Sequence, residues 1–461
     1  MHQPGDSQFV RLKKGKIFRK FGCGSTPQNS LHHRPEHSWN GNSQHGRVNL
    51  ALINIKQLVT VASHGARTKV GSGMHDLGIL ENACVITDGS LIRSVALMKE
   101  VTMSSIKEAT VIDCADRVVM PGFVDSHTHA LFAGSREEEF GMRAAGLTYE
   151  DIAARGGGIL STVKQVRASS KKELKKQSRR FIAAMLQHGT TTVEIKSGYG
   201  LDMDNEIKML EAINELADEE VMTIVPTFLG AHAVPPEYQD KKGAYVELVC
   251  EKMIPYVARK HLAPFCDVFC EKGYFEVADS ARVFTAALEH GMKLKIHAEE
   301  LSPLGGAELA GKLGAVSADH LEYITENGIQ TLRDGNVVAT LLPGVSFFLN
   351  HLFAPARKLI EAGVAVALAT DFNPGSCMSY SMPLAMTIAC THMGMSPEEV
   401  IAAATLNAAA ALDLSKEVGS IEVGKKADMI VLDVPNYKFL PYHFGENHVE
   451  KVIKNGVMLE F

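Results

Sequence analysis

Nowhere does the chain gather the run of about 18 apolar residues that a membrane span requires, and its N-terminus lacks the apolar core of a secretory signal. A membrane-embedded or exported protein is therefore not expected. Cysteine is sparse: eight residues stand at positions 23, 84, 114, 250, 266, 270, 377 and 390, with no CxxC pair and no dense spacing. A disulfide framework is excluded, and reduced thiols in a cytoplasmic protein are the expectation. Positive charge is not in excess either. Forty-seven Lys and Arg against 53 Asp and Glu give a formal charge of −6, so no broad basic field recommends nucleic acid or an anionic membrane as partner. A phosphate loop is missing too, because Gly156-Gly157-Gly158 fits neither GxGxxG nor GxxxxGK[ST] and reads as a flexible loop near the mouth of the fold.

What the chain has is enough apolar material for a large core. Hydrophobic residues make up 46% of 461 positions and charged residues 22%, a globular balance that suits one large α/β domain with a small satellite. Residues 1–47 stand apart, polar and basic (Lys13, Lys14, Lys16, Arg19, Lys20), and read as a solvated tail outside the fold. Residues 48–120 alternate short β-prone runs with turns, and residues 419–461 repeat that style, so the two ends are expected to pair into one composite β-sandwich.

Between them, over 121–418, β-rich runs recur at Phe123–His129, Thr191–Ser197, Met222–His232, Cys266–Glu271, Lys293–His297, Ala315–His320, Val337–Leu342 and Val364–Asp371, most followed by helical periodicity. Eight such units predict a TIM-like (β/α)8 barrel whose strands are apolar throughout because both faces are buried; an open doubly wound sheet is the competitor. The period predicts one helix over 164–186, with Val163, Val166, Leu174, Phe181, Ile182 and Met185 inward and a basic outer face at Lys171, Lys172, Lys175, Lys176, Arg179 and Arg180, read as solvated rather than as a docking surface.

Chemistry concentrates at the predicted strand ends. His127 and His129, two apart on one strand, face the same way and can present two imidazoles to one point. His297, His320 and Asp371 close three later strands, and the C-terminal ends of barrel strands converge on one mouth. Imidazoles plus a carboxylate with an open position suit a catalytic divalent ion, which would activate water and polarise a carbonyl, with His320 counted among the possible ligands. Asp371 is placed to pass a proton from the water to a leaving nitrogen, and Glu300 to meet a ring N–H, although its neighbour Glu299 competes for the inward position. Lys196 and Lys272 raise the option of a bridging lysine between two metals, and one metal is preferred. Cys266 and Cys270 are read as core.

These residues, with PGFVDSHTH at 121–129 and GSIEVGKKADMIVLD at 419–433, resemble the amidohydrolase superfamily over residues 48–461. The runs HALFAGSR at 129–136, KSGYG at 196–200, LGAH at 229–232, CEKG at 270–273, HAEE at 297–300 and DFNPG at 371–375 look like the branch that opens the ring of 4-imidazolone-5-propanoate to N-formimidoyl-L-glutamate in histidine degradation. The resemblance implies one divalent ion, zinc or iron, on His127, His129, His297 and Asp371. It implies substrate contacts from Arg136, Tyr199, His232 and Glu300, product contacts from Asn373, Gly375 and Ser376, and a catalytic role for His320 beside Asp371 and Glu300; Arg136 would grip the propionate tail, with a salt bridge to Glu137, Glu138 or Glu139 as the alternative. The expected partners are a small-molecule substrate and a second copy of the chain as a homodimer, in the cytoplasm. A cyclic amidine or aminopurine deaminase and a silent scaffold of the same superfamily are the competing readings; a scaffold is expected to have lost ligands.

Overall fold

The computed structural model describes residues 49–147, Asp151 and residues 156–461; the basic tail lies outside the described residues. The first strands form a sheet because they alternate. β1 (Asn49–Val59) pairs antiparallel with β2 (Ile79–Asp88), which pairs with β3 (Leu91–Leu97). β4 (Ala109–Asp113) and β5 (Val118–Pro121) run parallel to β1 along different stretches of it.

Across Gly122 the chain enters the barrel. Its strands are β6 (Phe123–Asp125), β7 (Thr190–Lys196), β8 (Thr223–Ala231), β9 (Phe265–Cys270), β10 (Lys293–Ala298), β11 (Ser317–His320), β12 (Val338–Leu341) and β13 (Val366–Leu368). They form an eight-stranded sheet in sequential order, and the registered pairs are parallel. The seam between β6 and β13 is closed just beyond the strands: Asp371 N–H donates to His127 O (3.0 Å), His129 N–H to Phe372 O (2.9 Å), and the Thr370 amide and hydroxyl donate to the Asp125 carboxylate (3.0 and 2.6 Å). A closed barrel, rather than an open sheet, is the result.

The last strands return to the first sheet. β14 (Met429–Leu432) pairs with β5 and with β15 (Val449–Lys454), which pairs with β16 (Val457–Leu459). Both chain ends thus build one eight-stranded mixed sheet, as expected from their shared style. Period-2 alternation gives it two buried faces. Val118, Met120, Ile430, Leu432 and Val452 pack into the barrel's main core, while Val119, Met429, Val431 and Ile453 join Leu52, Ile55 and Val85 on the opposite side. Each such side chain taken out of water contributes about 1.5–3 kcal/mol, so the sheet is anchored to the barrel by its own pleat.

The helix expected over 164–186 is two helices, Ile159–Ala168 and Lys171–Gln187. Ser170 breaks it: its hydroxyl accepts from Glu173 N–H (3.3 Å) while Glu173 accepts from Ser170 N–H (2.8 Å), a capping box that starts a new helix where periodicity alone would continue. The basic face is not simply solvated. Lys171 and Lys175 pair with Glu211, Glu215 and Glu219 of the helix Met203–Glu219, and Arg179 with Glu219 and, beyond that helix, Glu220.

Candidate active site

Alternate residues of the barrel strands point inward and stack in layers. Val225, Phe265 and Val338 belong to an apolar layer. Two residues further along their strands come Thr227 and Asp267, level with a buried ionic layer. Lys196 Nζ lies 2.8 Å from Glu194 and 2.7 Å from Asp267, and Lys295 Nζ 3.2 Å from Glu194, with every one of these side chains fully buried. Above this layer, at the strand ends, stand the histidines.

His127, His129 and His297 bring ring nitrogens within 4.8 Å of one another, and His127, His320 and Asp371 do the same. Asp371 Oδ1 lies 3.5 Å from His127 Nε2 and 3.4 Å from His129 Nε2. The spatial gathering expected from four separate stretches of chain is therefore present, and His320 joins it closely enough that distance alone does not set it apart from the other candidate ligands.

The donor set fits a divalent cation. His127 Nε2, His297 Nε2 and Asp371 Oδ1 are buried and have no hydrogen-bond partner, although such atoms are costly to leave unsatisfied. Burial, reinforced for His127 by Lys196 and for His129 by His232, holds both imidazoles far below their usual pKa, in the neutral form that offers a lone pair. Burial and the charge of Glu300 push the Asp371 carboxyl well above its ordinary range, so its ionised form calls for a cation beside it. The far sides of two rings are held in place: His127 Nδ1 is 2.6 Å from Asp319, and His297 Nδ1 is 3.2 Å from Asp267, which fixes each ring with Nε2 free.

Around this centre the mouth loops supply the other predicted residues. Tyr199 is buried with its ring 5.7 Å from His129 and 5.5 Å from His232. His232 stacks on His129 at 5.1 Å and donates from Nδ1 to Gly198 O (3.0 Å), leaving Nε2 as an acceptor; burial lowers its pKa to about 3. Glu300 Oε2 sits 3.6 Å from His320 Nε2, and burial, helped by Glu271 and opposed by His297, lifts its carboxyl to about 7. Its rival Glu299 turns away and accepts from Gly305 N–H (2.8 Å) and Ala307 N–H (3.0 Å), at the start of the helix Gly306–Leu313. Glu300 is the inward one.

Several of these positions have left-handed backbone: Glu299 (φ 51°), His320 (φ 79°), Leu321 (φ 73°) and Asp371 (φ 48°). None is glycine, and each costs about 1–3 kcal/mol that the surrounding packing must offset.

With this geometry in view, comparison with known proteins becomes informative. The model described as the amidohydrolase family matches residues 118–459. Imidazolonepropionase of Alkaliphilus oremlandii is 47% identical over 411 residues, covering 89% of this chain and 97% of the relative, and that of Geobacillus kaustophilus is 49% identical over 410 residues, covering 88% and 97%. The chain belongs to the amidohydrolase family, in its imidazolonepropionase branch. Solved amidohydrolase folds agree in architecture: atrazine chlorohydrolase from Arthrobacter aurescens complexed with zinc superposes with TM-score 0.64 at 16% identity over 89% of this chain and 95% of that one. An adenosine deaminase from Xanthomonas campestris with bound zinc gives 0.63 at 19% identity over 89% and 92%.

In this amidohydrolase the two bridging-lysine options separate. Lys272 is exposed. Lys196 is fully buried and, against the desolvation, Asp267, Glu194 and Asp319 hold its ammonium charged above its ordinary pKa, which removes the neutral amine that modification requires. Cys266 and Cys270 are free and buried, as core residues. Arg136 takes the salt-bridge alternative: Nε and Nη2 donate to Glu139 Oε2 at 3.0 and 2.6 Å, leaving Nη1 toward Gly375. Glu139 also accepts from Gly158 N–H (3.0 Å), so the glycine run read as flexible is pinned at that point. The side chain of Asn373 is spent on its own loop, donating to Asp371 O (2.7 Å) and Ser376 Oγ (2.8 Å) and accepting from Gly375 and Ser376 N–H (2.7 and 2.8 Å).

Sequence reasoning overlooked the supports: Asp267 and Asp319 behind the histidines, Glu194 and Lys295 beneath them, and Glu206, which accepts from Gly198, Gly200 and Leu201 N–H (3.1, 2.8 and 2.9 Å) and so builds the loop that carries Tyr199. The signal was available, since charged residues inside otherwise apolar buried strands need partners.

Proposed function

We propose that this amidohydrolase opens the ring of 4-imidazolone-5-propanoate by hydrolysing the C–N bond of its cyclic amide, giving N-formimidoyl-L-glutamate in histidine degradation. The observation that carries this reading is that relatives 47–49% identical across nearly the whole described fold are imidazolonepropionases, in a chain that keeps unpartnered His127 Nε2, His297 Nε2 and Asp371 Oδ1 at the barrel mouth.

In this reading His127, His129, His297 and Asp371 hold one divalent ion, zinc or iron. Such an ion lowers the pKa of water and polarises a carbonyl. Asp371 takes the proton of the attacking water and returns it to the ring nitrogen as its bond to the carbonyl carbon breaks. His320, beside both the ligands and Glu300, orients the water and donates to the oxygen on which charge develops. Glu300 meets a ring N–H, and Tyr199 and the acceptor Nε2 of His232 fix the ring in plane. Arg136 Nη1 faces the propionate, and the loop of Asn373, Gly375 and Ser376 holds the product. Free cysteines agree with a reducing cytoplasm as its location.

The test is direct comparison of two reactions on the purified, metal-loaded protein: loss of imidazolonepropionate absorbance and release of ammonia from guanine. Ring opening without deamination is expected. Deamination without ring opening would overturn the reading.

A further inference from the structure

The substrate proposed above carries a carboxylate, so the mouth must offer it positive charge. Arg136 alone does not. Its guanidinium and Glu139 are 2.6 Å apart, with side chains 11% and 8% exposed, and such a sheltered pair is close to neutral. Two turns along, at i+7 and hence on the same side of the helix Glu137–Ala144, stands Arg143. Its Nη2 donates to Gly375 O (3.1 Å) and its guanidinium carbon lies 5.3 Å from the centre of the Phe348 ring. Among the described residues no carboxylate forms an ion pair with it. Burial and the like charge of Arg136 push its pKa below the ordinary value against the pull of Glu139, yet a guanidinium stays protonated, which leaves a half-buried cation with no carboxylate in direct contact.

Gly375 links the two arginines. A side chain there would place its Cβ 2.1 Å from Arg136 Nη1, while its carbonyl accepts from Arg143. The loop that carries Asp371 therefore touches both one guanidinium paired directly with Glu139 and one that has no ion pair of its own.

We propose that Arg143, the arginine without an ion pair, supplies the positive charge that recognises the side-chain carboxylate of the substrate, with Arg136 Nη1 as an accessory donor, so that the site selects cyclic amides bearing an anionic side chain. This rests on the hydrolase reading. Arg143 sets specificity and takes no part in bond breaking.

The experiment uses the full-length, metal-loaded protein and two substrates, imidazolonepropionate and its neutral propionamide. Arg143→Met is expected to raise KM for the acid about 10- to 100-fold, the range of one charge-assisted bidentate contact, with kcat within about 3-fold and the propionamide unaffected. Arg143→Lys, which keeps the charge but loses the fork, is expected to recover part of the preference for the acid. Equal losses on acid and amide would assign Arg143 a structural role and overturn the proposal, as would an unchanged KM for the acid. A parent protein that opens neither ring would remove the hydrolase reading itself, and this proposal with it.

Discussion

At the scale of single residues, the site is built from atoms that have only one remaining use. His127 gives Nδ1 to Asp319 and His297 gives Nδ1 to Asp267, so what each has left is an unpartnered Nε2. Gly375 is similarly committed, because the space where its side chain would stand is occupied by Arg136. Gly375→Ala should displace that guanidinium from its sheltered pair with Glu139, raising KM for imidazolonepropionate about 10-fold and lowering stability by about 1–3 kcal/mol. Steady-state kinetics beside thermal unfolding would check this. That the proposed ligand residues would gather was legible in the sequence, because each is a polar residue closing an apolar run. The partition between Glu299 and Glu300 was not, since it depends on a left-handed turn at Glu299 that neighbouring identical residues do not reveal.

Elements carry the next layer of meaning. β7, β9, β10 and β11 each place an acidic or basic side chain inside the barrel, and Lys196 joins the carboxylates of β7, β9 and β11: it contacts Glu194 and Asp267 closely and lies 3.7 Å from Asp319. Asp267 and Asp319 are the groups that hold the rings of His297 and His127, so Lys196 is a positioning residue for the proposed metal ligands. Lys196→Met should weaken zinc binding about 10- to 100-fold, measured by competition with a chromophoric chelator, as is usual when the supports of metal ligands are removed. Unchanged zinc affinity would contradict that role. The eight barrel strands were readable because strands buried on both faces are continuous apolar runs. The short β5 went unread, since four residues ending at Pro121 and Gly122 are too few to show a strand period, and the ionic layer stayed hidden because which charges face one another is set by barrel closure rather than by spacing along the chain.

The whole molecule depends on both chain ends meeting in one sheet and on that sheet seating against the barrel. Lys454 of β15 reaches Asp428 (2.6 Å) and also Thr223 Oγ1 of β8 (2.8 Å), joining sheet to barrel at a buried point. Glu422 ties the returning C-terminal segment to the first: it accepts from Ser63 Oγ (3.0 Å), His64 N–H (3.1 Å) and Ser420 Oγ (2.6 Å). Against partial desolvation, these bonds and Lys425 lower its pKa to about 2. A carboxyl lowered on folding stabilises above its unfolded pKa of about 4.5 and loses that contribution as pH falls through the folded value. Glu422→Gln should therefore be less stable than the parent by about 1 kcal/mol at pH 7, a figure discounted for its partial exposure, and the difference should vanish by about pH 2. Denaturant unfolding across that range would check it.

The central claim is that His127, His129, His297 and Asp371 serve one cation that this hydrolase needs for ring opening, and a zinc titration of the metal-stripped protein, followed by loss of imidazolonepropionate absorbance, tests it most directly. Turnover should be absent without metal, rise with added zinc and reach its plateau at one ion per chain, while His129→Ala stays folded and is not rescued. Full turnover in the stripped protein, or full activity in His129→Ala, would contradict the account.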